Sequence, residues 1–168
     1  MIPVKRKRRT GATMYACRTR TACVREAAFT ARSPEMEPQM DAEARRRELN
    51  KITEGVIGSA YKVANVLGCG FLEKVYENSM AHEMRRQGLA FVQQAPITIN
   101  YDDAVVGEYV ADFVVEDRIL VELKGVRVVD EICMAQCLNY LNATGCHICL
   151  LINFGKTRVE VKRIVKDF

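Results

Sequence analysis

The sequence has no hydrophobic run of the length that a membrane span requires, about 20 apolar residues, and no run typical of a signal peptide. A membrane protein or a secreted protein is therefore not expected. The seven cysteines are an odd number, and without a secretory context they are interpreted as reduced thiols. These absences favour a cytoplasmic protein.

Basic charge is scarce beyond the first third of the chain. Residues 1–50 contain twelve Lys/Arg and six Asp/Glu, whereas residues 51–168 contain thirteen and fifteen. The net charge of +4 therefore comes from the N-terminal segment. Nucleic-acid binding through bulk charge leaves a basic excess on the folded domain, so it is not expected of residues 51–168.

Residues 1–40 have no sustained hydrophobic periodicity and are interpreted as a disordered basic extension. Their KRKRR run leaves open a nuclear-localisation or nucleic-acid-binding patch, and their Arg-rich start leaves open an organellar transit peptide. Alternatively, translation starts at Met36 or Met40 and the extension is an artefact. Residues 41–168 are long enough to form one domain with a hydrophobic core.

Hydrophobic periodicity and turn residues divide residues 41–168 into helices and strands. A first helix follows an N-cap at Asp41 and ends at the GCG of residues 68–70. The remaining elements are a helix over 71–87, strands over 90–101, 105–115 and 119–124, a helix over 131–145, and strands over 146–154 and 157–165. This order predicts a mixed α/β sheet with helices on its faces.

Three charged residues interrupt the apolar stretch YVADFVVEDRILVELKG, residues 109–125. A hairpin centred on Asp117 would place Asp112 opposite Glu122, roughly 5 Å apart at Cβ, whereas a shift of one residue would send them to opposite faces. Lys124 shares a strand face with Glu122. Two carboxylates and a lysine in one patch suit a hard divalent cation, Mg²⁺ or Mn²⁺, with the lysine beside an attacking water.

Two helices direct further polar groups at the sheet. Glu73 is three residues before Tyr76 and lies on the same helix face. Gln136 and Tyr140 share a face four residues apart on the helix that follows Lys124. We therefore expect these groups to point inward, towards the charged residues of the strands.

The residues in this order resemble a known family. GFLEKVY (70–76) resembles the GxxExxY signature, while Asp112, the Glu122-Leu123-Lys124 triplet and the Gln136-x-x-x-Tyr140 pair resemble the PD-(D/E)XK nuclease core with the QxxxY element of recombination exonucleases. The resemblance extends from about Leu49 to Val165. One departure is Ala111, which stands where the family motif has proline.

The resemblance implies a restriction endonuclease-like fold with an αβββαβ core and hydrolysis of phosphodiester bonds with Mg²⁺ or Mn²⁺. The implied metal ligands are Asp112, Glu122, the backbone carbonyl of Leu123, and Glu73. It also implies that Lys124 handles the water. The implied substrate-contacting or site-supporting residues are Gln136, Tyr140 and Tyr76. We expect the carboxylates of Asp112, Glu122 and Glu73 to converge within reach of one metal ion.

Other interpretations stay open. The charged residues of the strands could form a structural ion pair, in which case the domain is an interaction protein, or the fold could serve as a binding or regulatory module with weak or no catalysis. Cys133, Cys137, Cys146 and Cys149 suggest zinc, but if residues 146–152 form a strand, the last two thiols point to opposite faces and buried free thiols are favoured. With little basic surface, a nuclease of this size would need a second subunit or a partner protein to hold DNA.

Overall fold

The computed structural model describes residues 41–166; the proposed basic extension, residues 1–40, lies outside the described residues. The described chain forms three helices and five strands. The helices are α1 (Ala42–Leu67), α2 (Glu73–Arg86) and α3 (Glu131–Thr144). The strands are β1 (Phe91–Tyr101), β2 (Ala104–Val115), β3 (Ile119–Lys124), β4 (Ile148–Asn153) and β5 (Glu160–Val165). The predicted order of elements is confirmed.

Local side-chain caps begin two of the helices. The carboxylate of Asp41 accepts a hydrogen bond from the amide of Glu43 and precedes α1. The carboxylate of Asp130 accepts one of 2.9 Å from the amide of Cys133 and precedes α3. Such caps satisfy amide groups that the first helical turn leaves unpaired. No helix within residues 41–166 is long and apolar enough to cross a membrane.

The five strands form one mixed sheet in the order β1-β2-β3-β4-β5, in which only β3 and β4 are parallel. Helix α3 connects these two parallel strands. Every residue of β4 is buried, because both faces of the central sheet are covered. The mixed α/β class with helices on the faces of the sheet is therefore confirmed.

Each face of the sheet has its own hydrophobic core. Helices α1 and α2 pack on one face, where Val56 and Met80 belong to the same buried cluster as Val121. Helix α3 packs on the other face, where Leu141 belongs to the same cluster as Leu120. We call these the α1/α2 face and the α3 face.

The hairpin between β2 and β3 has the predicted register. Phe113 pairs with Val121 and Val115 with Ile119, so the hairpin is centred on Asp117. Glu116 and Asp117 have φ values of 51° and 54°, which suit the twist of a tight hairpin turn. The one-residue shift that would separate Asp112 from Glu122 does not occur.

Candidate active site

The candidate site begins where β2 and β3 separate. Beyond the pair Phe113 and Val121, the side chain of Asp112 replaces the backbone as the hydrogen-bond acceptor for β3. Its Oδ2 accepts a hydrogen bond of 2.8 Å from the amide of Leu123. The strand register thus places Asp112 beside β3, the strand of Glu122, although Asp112 is hydrogen-bonded to Leu123 and not to Glu122.

A break in strand alternation frees Asp112 for this contact. Alternate residues of a regular strand face opposite sides, yet Ala111 and Val114 both pack on the α3 face, while Phe113 packs on the α1/α2 face. On β1, Gln94 lies between residues paired with Ala111 and Phe113 and has a φ of 53°. This left-handed conformation costs about 1 kcal/mol. Its Nε2 donates a hydrogen bond of 3.3 Å to Oδ1 of Asp112, so both neighbouring strands hold this carboxylate.

Glu122 and Lys124 form a partly buried ion pair on β3. The Nζ of Lys124 lies 2.7 Å from Oε1 of Glu122, as the two-residue strand period predicts. Glu122 is only 5% exposed. Its Oε2 is buried and has no hydrogen-bond partner within the described part of the chain. A buried oxygen left unpaired is unfavourable, so this position attracts a positive charge.

The electrostatics of the site favour bound positive charge. Burial raises the pKa of Asp112, against the opposing effect of the Leu123 hydrogen bond, and the charge of Glu77 raises it further. Burial also raises the pKa of Glu122; the hydrogen bond from Lys124 opposes this effect and the charge of Asp112 adds to it. Burial lowers the pKa of Lys124, but the hydrogen bond to Glu122 leaves it above its ordinary value. At neutral pH, Lys124 therefore stays protonated, and it lies beside two carboxyl groups, those of Asp112 and Glu122, whose pKa values are raised.

Helix α2 adds two carboxylates at its N-terminal end. Glu73 is exposed, and its Oε2 accepts a hydrogen bond of 3.0 Å from the amide of Gly125. Glu77 is buried, lies 2.7 Å from Lys74 and accepts a hydrogen bond of 2.6 Å from Gln93. The sequence interpretation missed Glu77. Its position one helical turn after Glu73 was the available signal.

The helix-side residues Gln136 and Tyr140 contact each other on the α3 face. Nε2 of Gln136 donates a hydrogen bond of 2.7 Å to the hydroxyl of Tyr140, whose side chain is buried. Burial raises the pKa of Tyr140; Gln136 opposes the shift, and the charge of Glu122 adds to it. The pair therefore lies within the electrostatic field of the β3 carboxylate.

Tyr76 holds the turn that precedes α2. Its hydroxyl donates a hydrogen bond of 3.0 Å to the carbonyl of Gly68 and accepts one of 3.2 Å from the amide of Phe71. Its ring stacks on Phe154 with centroids 4.5 Å apart. These contacts fix the turn from which Glu73 extends.

Asn153, which the sequence interpretation also missed, holds the segment that follows Lys124. Its buried side chain accepts a hydrogen bond of 3.1 Å from the amide of Val126 and donates one of 2.8 Å to the carbonyl of Val126. The same segment passes so close to Gly155 that a Cβ there would lie 2.5 Å from the Val126 nitrogen. Strand β4 thereby fixes the backbone that connects Lys124 to the Glu73 contact at Gly125.

The expected convergence of three carboxylates on one metal position is not found. Within residues 41–166, no three Asp, Glu, His or Cys side chains form a group that could hold a metal ion. Asp112, Glu122 and Glu73 have different hydrogen-bond partners, namely Leu123, Lys124 and Gly125.

The donor set nevertheless fits a hard divalent cation. Mg²⁺ is commonly held in proteins by one or two carboxylates together with water. Asp112 and Glu122 supply carboxylate oxygens, one of which, Oε2 of Glu122, has no hydrogen-bond partner in the described part of the chain. The residues present are therefore compatible with Mg²⁺ or Mn²⁺.

The interpretation of the cysteines as buried free thiols is confirmed for Cys137, Cys146 and Cys149, although Cys146 and Cys149 do not point to opposite faces of the sheet. Strand β4 begins at Ile148, so Cys146 precedes the strand, and both Cys146 and Cys149 pack in the core of the α3 face. The thiols of the five described cysteines are free, and Cys137 is buried with these two. Burial raises the pKa of Cys146, so this thiol stays protonated at neutral pH.

The raised carboxyl pKa values predict how the stability of the metal-free protein depends on pH. The carboxyl groups of Asp112 and Glu122 bind protons more tightly in the folded protein than in the unfolded chain. Protonation of Glu122 therefore stabilises the fold at low pH, and this stabilisation is lost as the pH rises above about 4.5, the ordinary pKa of glutamate. We expect the difference in unfolding free energy, wild type minus Glu122→Gln, to fall across this range. Denaturant titrations at several pH values, with a chelator present, measure it. A difference that is constant or rises with pH would contradict the prediction.

The sequence model of the PD-(D/E)XK nuclease superfamily matches residues 50–164. Because the match covers more than half of the chain, the protein belongs to this superfamily. The restriction endonuclease-like fold inferred from the motifs is confirmed.

Two solved structures are similar to this chain. One is an alkaline exonuclease (LHK-Exo) from Laribacter hongkongensis, with 14% identity, a TM-score of 0.40, and coverage of 68% of this chain and 82% of that chain. The other is SSO0001, with 16% identity, a TM-score of 0.43, and coverage of 74% and 62%, respectively. A search of curated proteins gave no significant match.

Proposed function

We propose that the protein is a metal-dependent nuclease that hydrolyses phosphodiester bonds in DNA and belongs to the GxxExxY group of its superfamily. The observation that carries the proposal is the buried Oε2 of Glu122, which has no hydrogen-bond partner among residues 41–166. The other oxygen of this carboxylate, Oε1, is paired with Lys124, and the charge of Asp112 acts on the same group. A structural ion pair would have no need to leave such an oxygen without a partner.

The proposed ligands of Mg²⁺ or Mn²⁺ are Asp112, Glu122, the backbone carbonyl of Leu123, and Glu73. When bound, such a cation supplies a Lewis acid that polarises the phosphate and lowers the pKa of a water. Gln94 and the amide of Leu123 hold Asp112 in place. The amide of Gly125 holds Glu73 at the edge of the site.

Lys124 is proposed to handle the attacking water. Its ammonium lies beside Glu122 and stays protonated, so it can donate a hydrogen bond to the water and orient it towards phosphorus. It also offsets negative charge that develops on the phosphate during in-line attack. Gln136, Tyr140 and Tyr76 support this arrangement, the first two from α3 and the last from the turn before Glu73.

The catalytic domain is proposed to comprise residues 41–168. Residues 51–168 have thirteen Lys/Arg and fifteen Asp/Glu, a net charge of −2 that leaves no basic excess for binding a phosphate backbone. We therefore propose that a second copy of the chain, or a partner protein, helps to hold DNA. The free thiols of the described cysteines fit the proposed cytoplasmic location.

A second candidate function is a nuclease-fold module that binds nucleic acid or regulates a partner without useful turnover. Within residues 41–166, no three Asp, Glu, His or Cys side chains form a group that could hold a metal ion, and this favours the alternative. Metal binding alone does not discriminate between the two functions, since both can retain the ligands. Cleavage is the discriminating property.

The test combines metal binding with cleavage. We expect Mg²⁺ or Mn²⁺ to raise the melting temperature of the wild type by several degrees, since a ligand at 100 times its Kd stabilises a protein by about 2.7 kcal/mol. The same ions should support cleavage of single-stranded, duplex or branched DNA. Glu122→Ala should lose both responses. A thermal shift without cleavage of any of these substrates, or of RNA, would support the binding module instead.

A further inference from the structure

A groove of about 760 Å³ lies between α3 and the outer part of the β1–β2 hairpin. Thr98 and Asn100 line it from β1, and Asn139 and Asn142 line it from α3. No lining residue is charged. The groove therefore suits a neutral, polar ligand better than a phosphate group.

The α3 side of the groove has an unusual composition for a solvent-exposed surface. After Glu131, the helix has no charged residue as far as Thr144, although the outer face of a helix on a folded domain normally carries charges. Asn139 and Asn142 are exposed there. Side-chain amides both donate and accept hydrogen bonds, as the edges of nucleobases do.

An aromatic ring provides a flat surface in the same groove. Tyr109 is 52% exposed, and its ring centroid lies 5.9 Å from that of Tyr140. Tyr140 is itself buried and hydrogen-bonded to Gln136. Tyr109 thus contacts a buried ring at an interplanar angle of 58° and keeps about half of its surface exposed, which leaves aromatic area on which a base can stack.

The groove adjoins the strands of the candidate active site. Gln136 and Tyr140 line the groove, and Tyr140 packs in the same buried cluster as Ala111, the residue before Asp112. A strand whose phosphate lies at the carboxylates would therefore reach the groove with its bases.

We infer that this groove binds unpaired nucleobases of the substrate strand, with Tyr109 stacking on a base and the amides of Asn139 and Asn142 contacting base edges. The substrate class is then single-stranded DNA, or a single-stranded tail, because the base faces of a duplex are already stacked on their neighbours. This inference rests on the proposed nuclease function and specifies its substrate.

The test compares a labelled single strand with an abasic strand of the same length, using fluorescence anisotropy. Lys124→Ala is the background, so that cleavage does not interfere. Since base stacking on an aromatic ring contributes strongly to binding, we expect the base-bearing strand to bind at least about 10-fold more tightly. Adding Tyr109→Ala should remove most of this preference, and Tyr109→Phe should retain it. Tyr101→Ala is the matched control, because Tyr101 is 72% exposed on the same hairpin but does not line the groove.

The binding measurements distinguish base recognition in the groove from other uses of this surface. Equal binding of the two strands, or equal effects of Tyr109→Ala and Tyr101→Ala, would overturn the inference. Should Tyr109→Ala unfold, Asn139→Ala tests the same preference from the exposed face of α3. Loss of dimers in Tyr109→Ala with unchanged base preference would assign the groove to a second copy of the chain. If the protein prefers the base-bearing strand but the wild type cleaves no DNA, the inference about the groove holds and the proposed nuclease function fails. If the wild type cleaves DNA but shows no preference for the base-bearing strand, the nuclease function holds and the inference about the groove fails.

Discussion

Lys124→Ala is expected to reduce Mg²⁺-dependent DNA cleavage about 10³-fold while leaving the metal-induced rise in melting temperature intact. Loss of a single positioned donor that stabilises charge in the transition state typically costs about 10²- to 10³-fold in rate, and Lys124 is not among the proposed metal ligands. Its ammonium lies 2.7 Å from Glu122, so its removal leaves the carboxylate free to bind the cation. Single-turnover cleavage and thermal denaturation with and without Mg²⁺ measure the two effects.

The matched comparison is Glu122→Ala, which removes a proposed ligand and should lose both cleavage and the thermal response. If the wild type and both variants cleave DNA at the same rate, the activity comes from a contaminating nuclease. A Lys124→Ala variant that cleaves normally would remove the proposed role of the lysine. One that loses the thermal response would show that Lys124 is needed for metal binding.

Gly155→Ala is expected to destabilise the fold by about 3 kcal/mol. An added Cβ would overlap the backbone of Val126, where Asn153 holds both the amide and the carbonyl. Neither backbone segment can yield without breaking these hydrogen bonds. Because Val126 is two residues after Lys124, the displacement should also weaken the metal response. Denaturant unfolding and the Mg²⁺-dependent thermal shift measure both consequences.

Gly58→Ala is the control for Gly155→Ala. Gly58 lies within α1, and an added Cβ there meets no atom within 4 Å. Alanine favours a helix by about 1 kcal/mol relative to glycine, so this variant should be more stable than the wild type. Similar stabilities for the two variants would mean that the segment around Val126 adapts to the added methyl group.

Local signals explain why much of the fold was predictable. Asp41 and Asp130 cap helices through atoms only a few residues away, and strand β3 was predicted with its observed limits, Ile119–Lys124. The register of the β2–β3 hairpin followed from symmetry about Asp117. These features depend on residues close together in the sequence, and therefore their patterns were visible without a structure.

The geometry of the candidate site depended on contacts between distant segments. The reversal of side-chain alternation at Asp112 requires the left-handed Gln94 on the neighbouring strand, and nothing in the local pattern of β2 predicts it. Glu77 is buried because Gln93 and Lys74 satisfy its carboxylate. The family motifs predicted that the carboxylates of Asp112, Glu122 and Glu73 converge on one metal position, but each of them accepts a hydrogen bond from a different donor.

The sequence by itself determined the order of helices and strands, the hairpin register and the choice of Asp112, Glu122 and Lys124 as candidates, because period, turn residues and motif spacing are local properties. Only the tertiary structure decided that Oε2 of Glu122 is buried with no hydrogen-bond partner among the described residues, that Asn153 and Gly155 hold the segment after Lys124, and that a neutral groove adjoins the site. Each of these depends on which side chains fill the space around an atom, and this is settled only when distant strands and helices pack together.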